Sequence, residues 1–245
     1  MQFYEKLKYL YRAGRFRRLL DKDEIRFILS YLKKNDCAID IGAHKGAYTY
    51  WMQKAVGSGG LVYSFEPQKE LADYLKKMVN LIDMNSVVVE HAALSSKEGT
   101  SVLHVPGVGV SPSATLESNI LGDESETYEV TMTTLDNYFS DKPVLDINLI
   151  KCDVEGHELE VFKGGEEILK NHKPLLIFEC EQRHHKNDSI FDVFNYLHCL
   201  NYSGYFFLNG TVHEIEKFNP EIHQQHGTKD YVNNFLFRVD ALRQI

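Results

Sequence analysis

The chain has 245 residues, 43% hydrophobic and 25% charged, with 16 Gly and 6 Pro, a balance that supports a full core and excludes fibrous and disordered classes. No apolar run reaches the ~18 residues of a membrane span and the opening stretch has no signal-peptide block, so no transmembrane segment and a cytoplasmic location are expected. The formal net charge of −8 argues against nucleic acid as a partner.

Residues 1–34 are expected to form a basic helical segment, with ten Lys or Arg against four acids, a net of +6 that leaves the remaining chain at −14. This segment is either a solvated helix face packed on the main domain or a docking surface for an anionic substrate, partner or membrane. Asp21-Lys22-Asp23-Glu24 starts a helix carrying Ile25, Ile28, Leu29 and Leu32 at helical spacing. A strand follows over Cys37 to Ile41, then a glycine turn, Gly42 to Gly46, a helix over Tyr48 to Val56, and a strand over Leu61 to Phe65. A helix over Gln68 to Leu81 and a strand over Ser86 to Val89 continue the alternation. Residues 95–133, rich in Gly, Pro, Ser and Thr, read as an irregular, lid-like insertion with short β-like stretches at Ser101–Val105 and Tyr128–Met132. Strand Ile147 to Cys152, one helix over Gly156 to Asn171, strand Pro174 to Glu179 and helix Ile190 to Leu200 restore it. A hairpin turning at Asn209-Gly210 and a last strand over Tyr231 to Val239 close the chain.

This order predicts an α/β fold, a mostly parallel sheet with helices on both faces, over residues 35–245. Cys37, Cys152, Cys180 and Cys199 lie far apart without metal spacing and read as thiols of a reducing compartment. In such sheets ligands bind beyond the carboxyl ends of the strands, at the topological switch point. There stand Asp40-Ile-Gly42-Ala-His44-Lys-Gly46 and, twenty residues on, Glu66-Pro67. A dinucleotide site has a similar layout but needs a third glycine and bare amides for the pyrophosphate. An aspartate at the entry suits a cationic ligand instead. S-adenosylmethionine fits: Asp40 for its amino end, the glycine turn for close approach, Glu66 for the ribose hydroxyls.

Asp40-Ile-Gly-Ala-His-Lys-Gly46, Phe65-Glu66-Pro67, His91-Ala92-Ala93-Leu94-Ser95, Thr134-Leu-Asp136 and Ile150-Lys-Cys-Asp153-Val-Glu155-Gly156-His-Glu158 together resemble the ordered signature of the FkbM family of S-adenosylmethionine-dependent methyltransferases. The resemblance implies a Rossmann-like class I methyltransferase fold, usually with a seven-stranded sheet, and O-methylation, often of sugar or polyketide hydroxyls. The expected cofactor-binding set is Asp40, Gly42, His44, Gly46, Glu66, Pro67 and Ala92, although His44 and Lys45 stand where the family varies and inherit no role from it.

Asp153, Glu155 and His157 cluster at the end of the fourth strand and form the expected catalytic set. A hydroxyl acceptor needs a base or a metal to shed its proton. Asp153 or His157 would be the base, or Asp153, Glu155 and Glu179 would hold Mg²⁺. A metal-free mechanism is favoured, on the expectation that a strand end, which points successive side chains to opposite faces, makes Asp153-x-Glu155 a poor chelate unless the strand has already turned. The adjacent pair His184-His185 reads as solvated. The expected function is methyl transfer to a hydroxyl of a small acceptor, a saccharide or glycoside; the alternatives are an NAD-dependent oxidoreductase and a non-catalytic nucleoside-binding module that recruits a partner.

Overall fold

The computed structural model describes residues 2–118, 125–142, 146–185, 189–225 and 227–239. Helix α1 (Gln2–Arg15) runs through a π-helical turn, Phe16–Leu20, to α2 (Lys22–Tyr31). Neither lies apart from the rest. Tyr9 is buried and its hydroxyl donates to the Gly46 carbonyl at 2.8 Å, while Trp51 Nε1 donates to the Ala13 carbonyl at 2.8 Å.

Strand β1 (Cys37–Ile41) is buried at every position, as a strand covered on both faces must be. Helix α3 (Ala47–Val56), β2 (Leu61–Phe65), α4 (Lys69–Leu81) and β3 (Val87–Glu90) follow, and β1, β2 and β3 pair in parallel in that order. The chain then leaves the sheet. Short β4 (Ala93–Leu94), β5 (Gly99–Pro106) and β6 (Ser125–Thr133) build a second, three-stranded sheet in the order β4-β6-β5. The region read as irregular is therefore a β-arm with an antiparallel ladder from Gly99↔Met132 to Pro106↔Ser125. Residues 119–124 of the expected insertion lie outside the described residues.

Helix α5 (Leu135–Ser140), capped by Thr134, leads into β7 (Ile147–Cys152), which returns to pair beside β1. The helix expected over Gly156 to Asn171 is two helices, α6 (Glu158–Lys163) and α7 (Glu166–Asn171). It breaks because a backbone crosses it: a Cβ on Gly164 would stand 2.0 Å from the Ser95 carbonyl oxygen. Asp136 then caps α7, accepting from the amides of Glu167 and Ile168 at 3.0 Å each. Strand β8 (Leu175–Glu179), α8 (Ile190–Cys199), β9 (Ser203–Leu208), β10 (Thr211–Glu214), the short α9 (Pro220–His223) and β11 (Asn234–Arg238) complete the chain.

The main sheet has the order β10-β9-β11-β8-β7-β1-β2-β3, parallel from β8 to β3 and antiparallel beyond β8. It has eight strands rather than seven, because both arms of the hairpin at Asn209-Gly210 join it; these two residues take φ of 51° and 79°, as a two-residue hairpin turn requires. Side chains alternate across the sheet into two cores. Ile39, Ile41, Phe162, Phe178 and Phe235 belong to one, and Ala38, Ile25, Met52, Leu75 and Tyr9 to the other. Cys37, Cys152 and Cys180 are buried and Cys199 is exposed.

The order reverses between β1 and β7, and their two ends are sewn together. The Asp153 amide donates to the Ile41 carbonyl, and Gly42, at φ 75°, sits so close that a Cβ there would be 1.8 Å from the Asp153 carbonyl oxygen. Gly42→Ala combines a left-handed backbone with a backbone clash and is expected to cost about 3 kcal/mol or more, lowering the melting temperature by roughly 6–12 °C in a chain of this size; a calorimetric melt checks this.

Candidate active site

At the β1/β7 switch point a cavity of about 330 Å³ opens beyond the strand ends, within the size range of small-ligand sites. It is lined by Asp40, Gly42, His44, Glu66, Pro67 and Ala92, by Asp153, Glu155 and His157, and by Lys151 and Glu179. The sequence reading thus converges on one place, with one exception. Gly46 is not among the lining residues; its missing Cβ makes room for Leu75 Cδ1 and the Tyr9 hydroxyl, 2.4 and 3.0 Å from where it would stand. The space freed at Gly42 is likewise taken by the protein.

Asp40, the penultimate residue of β1, is almost fully buried. Its Oδ2 accepts from Thr49 Oγ1 at 2.6 Å, and its Oδ1 is buried without a hydrogen-bond partner among the described residues. Burial pushes its carboxyl upward and Lys151 opposes the rise. Glu66, 2% exposed, accepts one backbone amide on each oxygen, from His44 at 2.7 Å and Gln68 at 2.9 Å. Burial still lifts it to about 7. His44 is held down to about 4, first by burial and then by the charges of Lys45 and Arg12, so its imidazole is neutral near pH 7. Gln68 also grips the β-arm loop, exchanging two hydrogen bonds with the Ser111 backbone at 2.8 and 2.9 Å. Pro112 to Leu116 of that loop line the cavity opposite the strand ends.

Asp153 and Glu155 both face the cavity, contrary to the expectation that they point apart. Residues two apart on a strand share a face, so alternation would not have separated them; the strand in any case ends at Cys152, and the chain turns at Glu155 (φ 53°) and Gly156 (φ 98°) with both carboxyls on the cavity wall. Lys151 Nζ, on a side chain 4% exposed, lies 2.8 Å from Asp153 Oδ2 and 4.8 Å from the Tyr48 ring centre. Burial alone would lower the lysine, and Asp153 and Asp40 more than reverse this, so it stays charged. Glu155 is raised to about 8 and Glu179 to about 10, in each case by burial first and by the Asp153 charge second.

His157 is tied at both nitrogens, Nε2 to Ser95 Oγ at 2.9 Å and Nδ1 to Glu117 Oε1 at 2.6 Å. The pair read as solvated is not. His184 Nδ1 stands 3.2 Å from Glu155 Oε2 and His185 is 4% exposed, because the turn after β8 folds back over the site; their neighbour Lys186 lies outside the described residues. Glu158, Cys180 and His185 form a second group behind the cavity wall, with possible ligand atoms within 4.8 Å of one another. Asp153, Glu155 and Glu179 are the carboxyls that could face a cation inside the cavity.

Lys151, Arg12, Phe16 and Asp21 are among the lining residues that escaped the sequence reading. Lys151 had a signal, a cation inside the apolar run Ile147–Cys152. Arg12, Phe16 and Asp21 reach the wall from the N-terminal segment, and no local pattern announces a contact made across the fold.

A sequence model described as the methyltransferase FkbM domain matches residues 40–234. The chain is similar to the hexuronic acid methyltransferase AglP of Haloferax volcanii, 27% identical over 153 residues, which is 62% of this chain and 59% of that protein, so the match spans somewhat over half of the relative. Its fold is similar to the crystal structure of methyltransferase FkbM from Methylobacillus flagellatus KT, with a TM-score of 0.52 and 16% identity over 96% of this chain and 54% of the other. It is also similar to an O-methyltransferase from Bacillus cereus in complex with SAH, with a TM-score of 0.54 and 12% identity over 96% and 90% of the two chains. At these identities the two structures establish a shared class I methyltransferase fold.

Two outcomes follow from the buried charges. Lys151→Met leaves carboxyls without their cation and is expected to cost about 3–5 kcal/mol, as removal of one buried partner does. Glu66, Glu155 and Glu179 hold protons in the folded state that the unfolded chain has already released above the ordinary value of 4.5. Their contribution therefore falls as pH rises through the folded values, and the ligand-free protein should melt lower near about pH 9 than near about pH 6, with a flatter slope in Glu155→Gln; melting curves across that range check the sign.

Proposed function

We propose that this chain, which belongs to the FkbM methyltransferase family, transfers the methyl group of S-adenosylmethionine to a hydroxyl of a saccharide or glycoside acceptor. The observation that carries the reading is the carboxyl-rich composition of the cavity wall. Six carboxyl residues line it (Asp21, Asp40, Glu66, Asp153, Glu155 and Glu179) against Arg12, Lys45 and Lys151, and two of their buried oxygens, Asp40 Oδ1 and Glu155 Oε2, have no hydrogen-bond partner among the described residues. Such a wall, whose raised carboxyls ionise when a cation approaches, suits a cationic ligand better than a pyrophosphate. The residues therefore fit S-adenosylmethionine, which when bound supplies an electrophilic methyl group on a positively charged sulfur.

Asp40 Oδ1 is the acceptor for the amino end. Glu66 holds the ribose hydroxyls: each of its oxygens has one backbone donor and keeps a second lone pair. On the acceptor side, Lys151 fixes the Asp153 carboxylate, which receives and orients a hydroxyl. Glu155, raised to about 8, has the proton affinity a base needs near neutral pH, whereas His157, bonded at both nitrogens, serves to hold Glu117 and the β-arm in place. The saccharide class is supported by the hexuronic acid methyltransferase among the relatives.

Calorimetry is expected to show S-adenosylmethionine and S-adenosylhomocysteine binding and NAD not binding, with Glu66→Ala weakening the donor by about 1.5–3 kcal/mol. NAD binding more tightly than S-adenosylhomocysteine would overturn the assignment. Turnover is read by mass gain of a saccharide panel and by the position of the new methyl in NMR. Asp153→Asn should lower the rate by ~10²-fold or more with donor affinity little changed, and Glu155→Gln should remove the alkaline-rising limb of the pH-rate profile. Methylation at nitrogen or carbon would refute the hydroxyl acceptor.

A further inference from the structure

Helix α1 is held to the body by its inner face, on which Tyr9 and Ala13 are each 1% exposed. Its outer face is apolar too. Phe3, Tyr4, Leu7 and Tyr11 recur at helical spacing with exposures of 49–75%, and Leu19 and Leu20 extend the patch across the π-helical turn. Exposed cations border it: Lys8, Arg15, Arg18 and Lys22. The acids of this segment do not compete, since Glu5 pairs with Lys77 at 2.7 Å, Asp23 with Arg26 at 3.8 Å, and Asp21 and Glu24 are turned inward, Asp21 to the cavity wall and Glu24 into burial.

Large aromatic and aliphatic side chains standing in water beside a rim of lysine and arginine are the composition of helices that lie in the plane of a membrane interface. Isolated exposed apolar residues mean little, but a contiguous set with one sign of charge marks an interaction surface. A second copy of the chain pairing through the same face would bring two segments of net +6 together, which like-charge repulsion opposes. We propose that this face docks on an anionic lipid bilayer, with the aromatic side chains entering the headgroup region and the cations meeting lipid phosphates.

The consequence lies in position. Arg12 and Phe16, on the same segment, line the cavity, so docking would bring the mouth of the site close to the bilayer and favour acceptors displayed on it. The docking itself requires neither methyl donor nor acceptor, and it is tested without them.

The full chain is co-sedimented with vesicles of phosphatidylcholine alone and with vesicles containing about one-third phosphatidylglycerol. Binding to the anionic vesicles only, falling as salt is raised, is the expected result. The paired charge reversal Arg15→Glu with Arg18→Glu should lower the partition by on the order of tenfold or more, since each cation at an anionic surface contributes about fivefold. Leu7→Ser with Tyr11→Ser should lower it severalfold while circular dichroism and S-adenosylhomocysteine binding stay unchanged. No preference for anionic vesicles, or binding indifferent to both variants, would overturn the proposal. A concentration-dependent dimer in sedimentation velocity that is lost in the Leu7→Ser, Tyr11→Ser variant would overturn it too, assigning the face to a second copy.

Discussion

An ammonium group taken out of water costs several kcal/mol unless carboxylates surround it, and the floor of the cavity is organised by this demand at Lys151. The residue lies in the middle of the sheet, level with Asp40 on β1 and Ile177 on β8, where an apolar side chain would be ordinary. Its charge binds Asp153 directly and lowers the cost of burying Asp40. In return those carboxyls keep the lysine charged. Two residues of the inferred site, one from each half of the sheet, are thereby fixed relative to each other by a single buried cation.

The second constraint is the contact of the strand ends. Gly42 leaves room for the Asp153 carbonyl where any side chain would collide, and the Asp153 amide donates to the Ile41 carbonyl. This contact closes the crevice at its base. The left-handed turn at Glu155-Gly156 then swings Glu155 to the same side as Asp153, and the β-arm closes the opposite wall through Gln68 with Ser111 and through Thr115 Oγ1, which donates to the Glu155 carbonyl at 2.7 Å. The result is a cavity lined by more carboxyls than cations, in which burial lets three of the carboxyls hold protons that a bound cation would displace.

The N-terminal segment has two faces with different work. Its inner face belongs to the core beneath α3, held by the Tyr9 and Trp51 hydrogen bonds and by Arg17 stacked 4.5 Å over the Trp51 ring. Its basic, aromatic outer face remains in water. Among the described residues no helix is long and apolar enough to cross a membrane, and a surface contact is a different arrangement from a span.

Sequence alone determined the alternation of strands and helices, because burial on both faces writes near-continuous apolar runs such as Cys37–Ile41 and Leu175–Glu179 that period and length distinguish from helix. It also placed Asp40, Glu66, Asp153 and Glu155 at strand ends, since ligand sites in parallel sheets lie there. The tertiary structure decided what those residues are bonded to. The break at Gly164 is imposed by a carbonyl sixty-nine residues away in the chain, the burial of His184 and His185 by the turn after β8, and the presence of Arg12 at the cavity by a helix packed across the sheet. Each depends on a long-range contact. Local composition reports a residue's preference for water or core; it does not report which distant backbone will arrive beside it, and it is that arrival that sets charge, exposure and proton affinity.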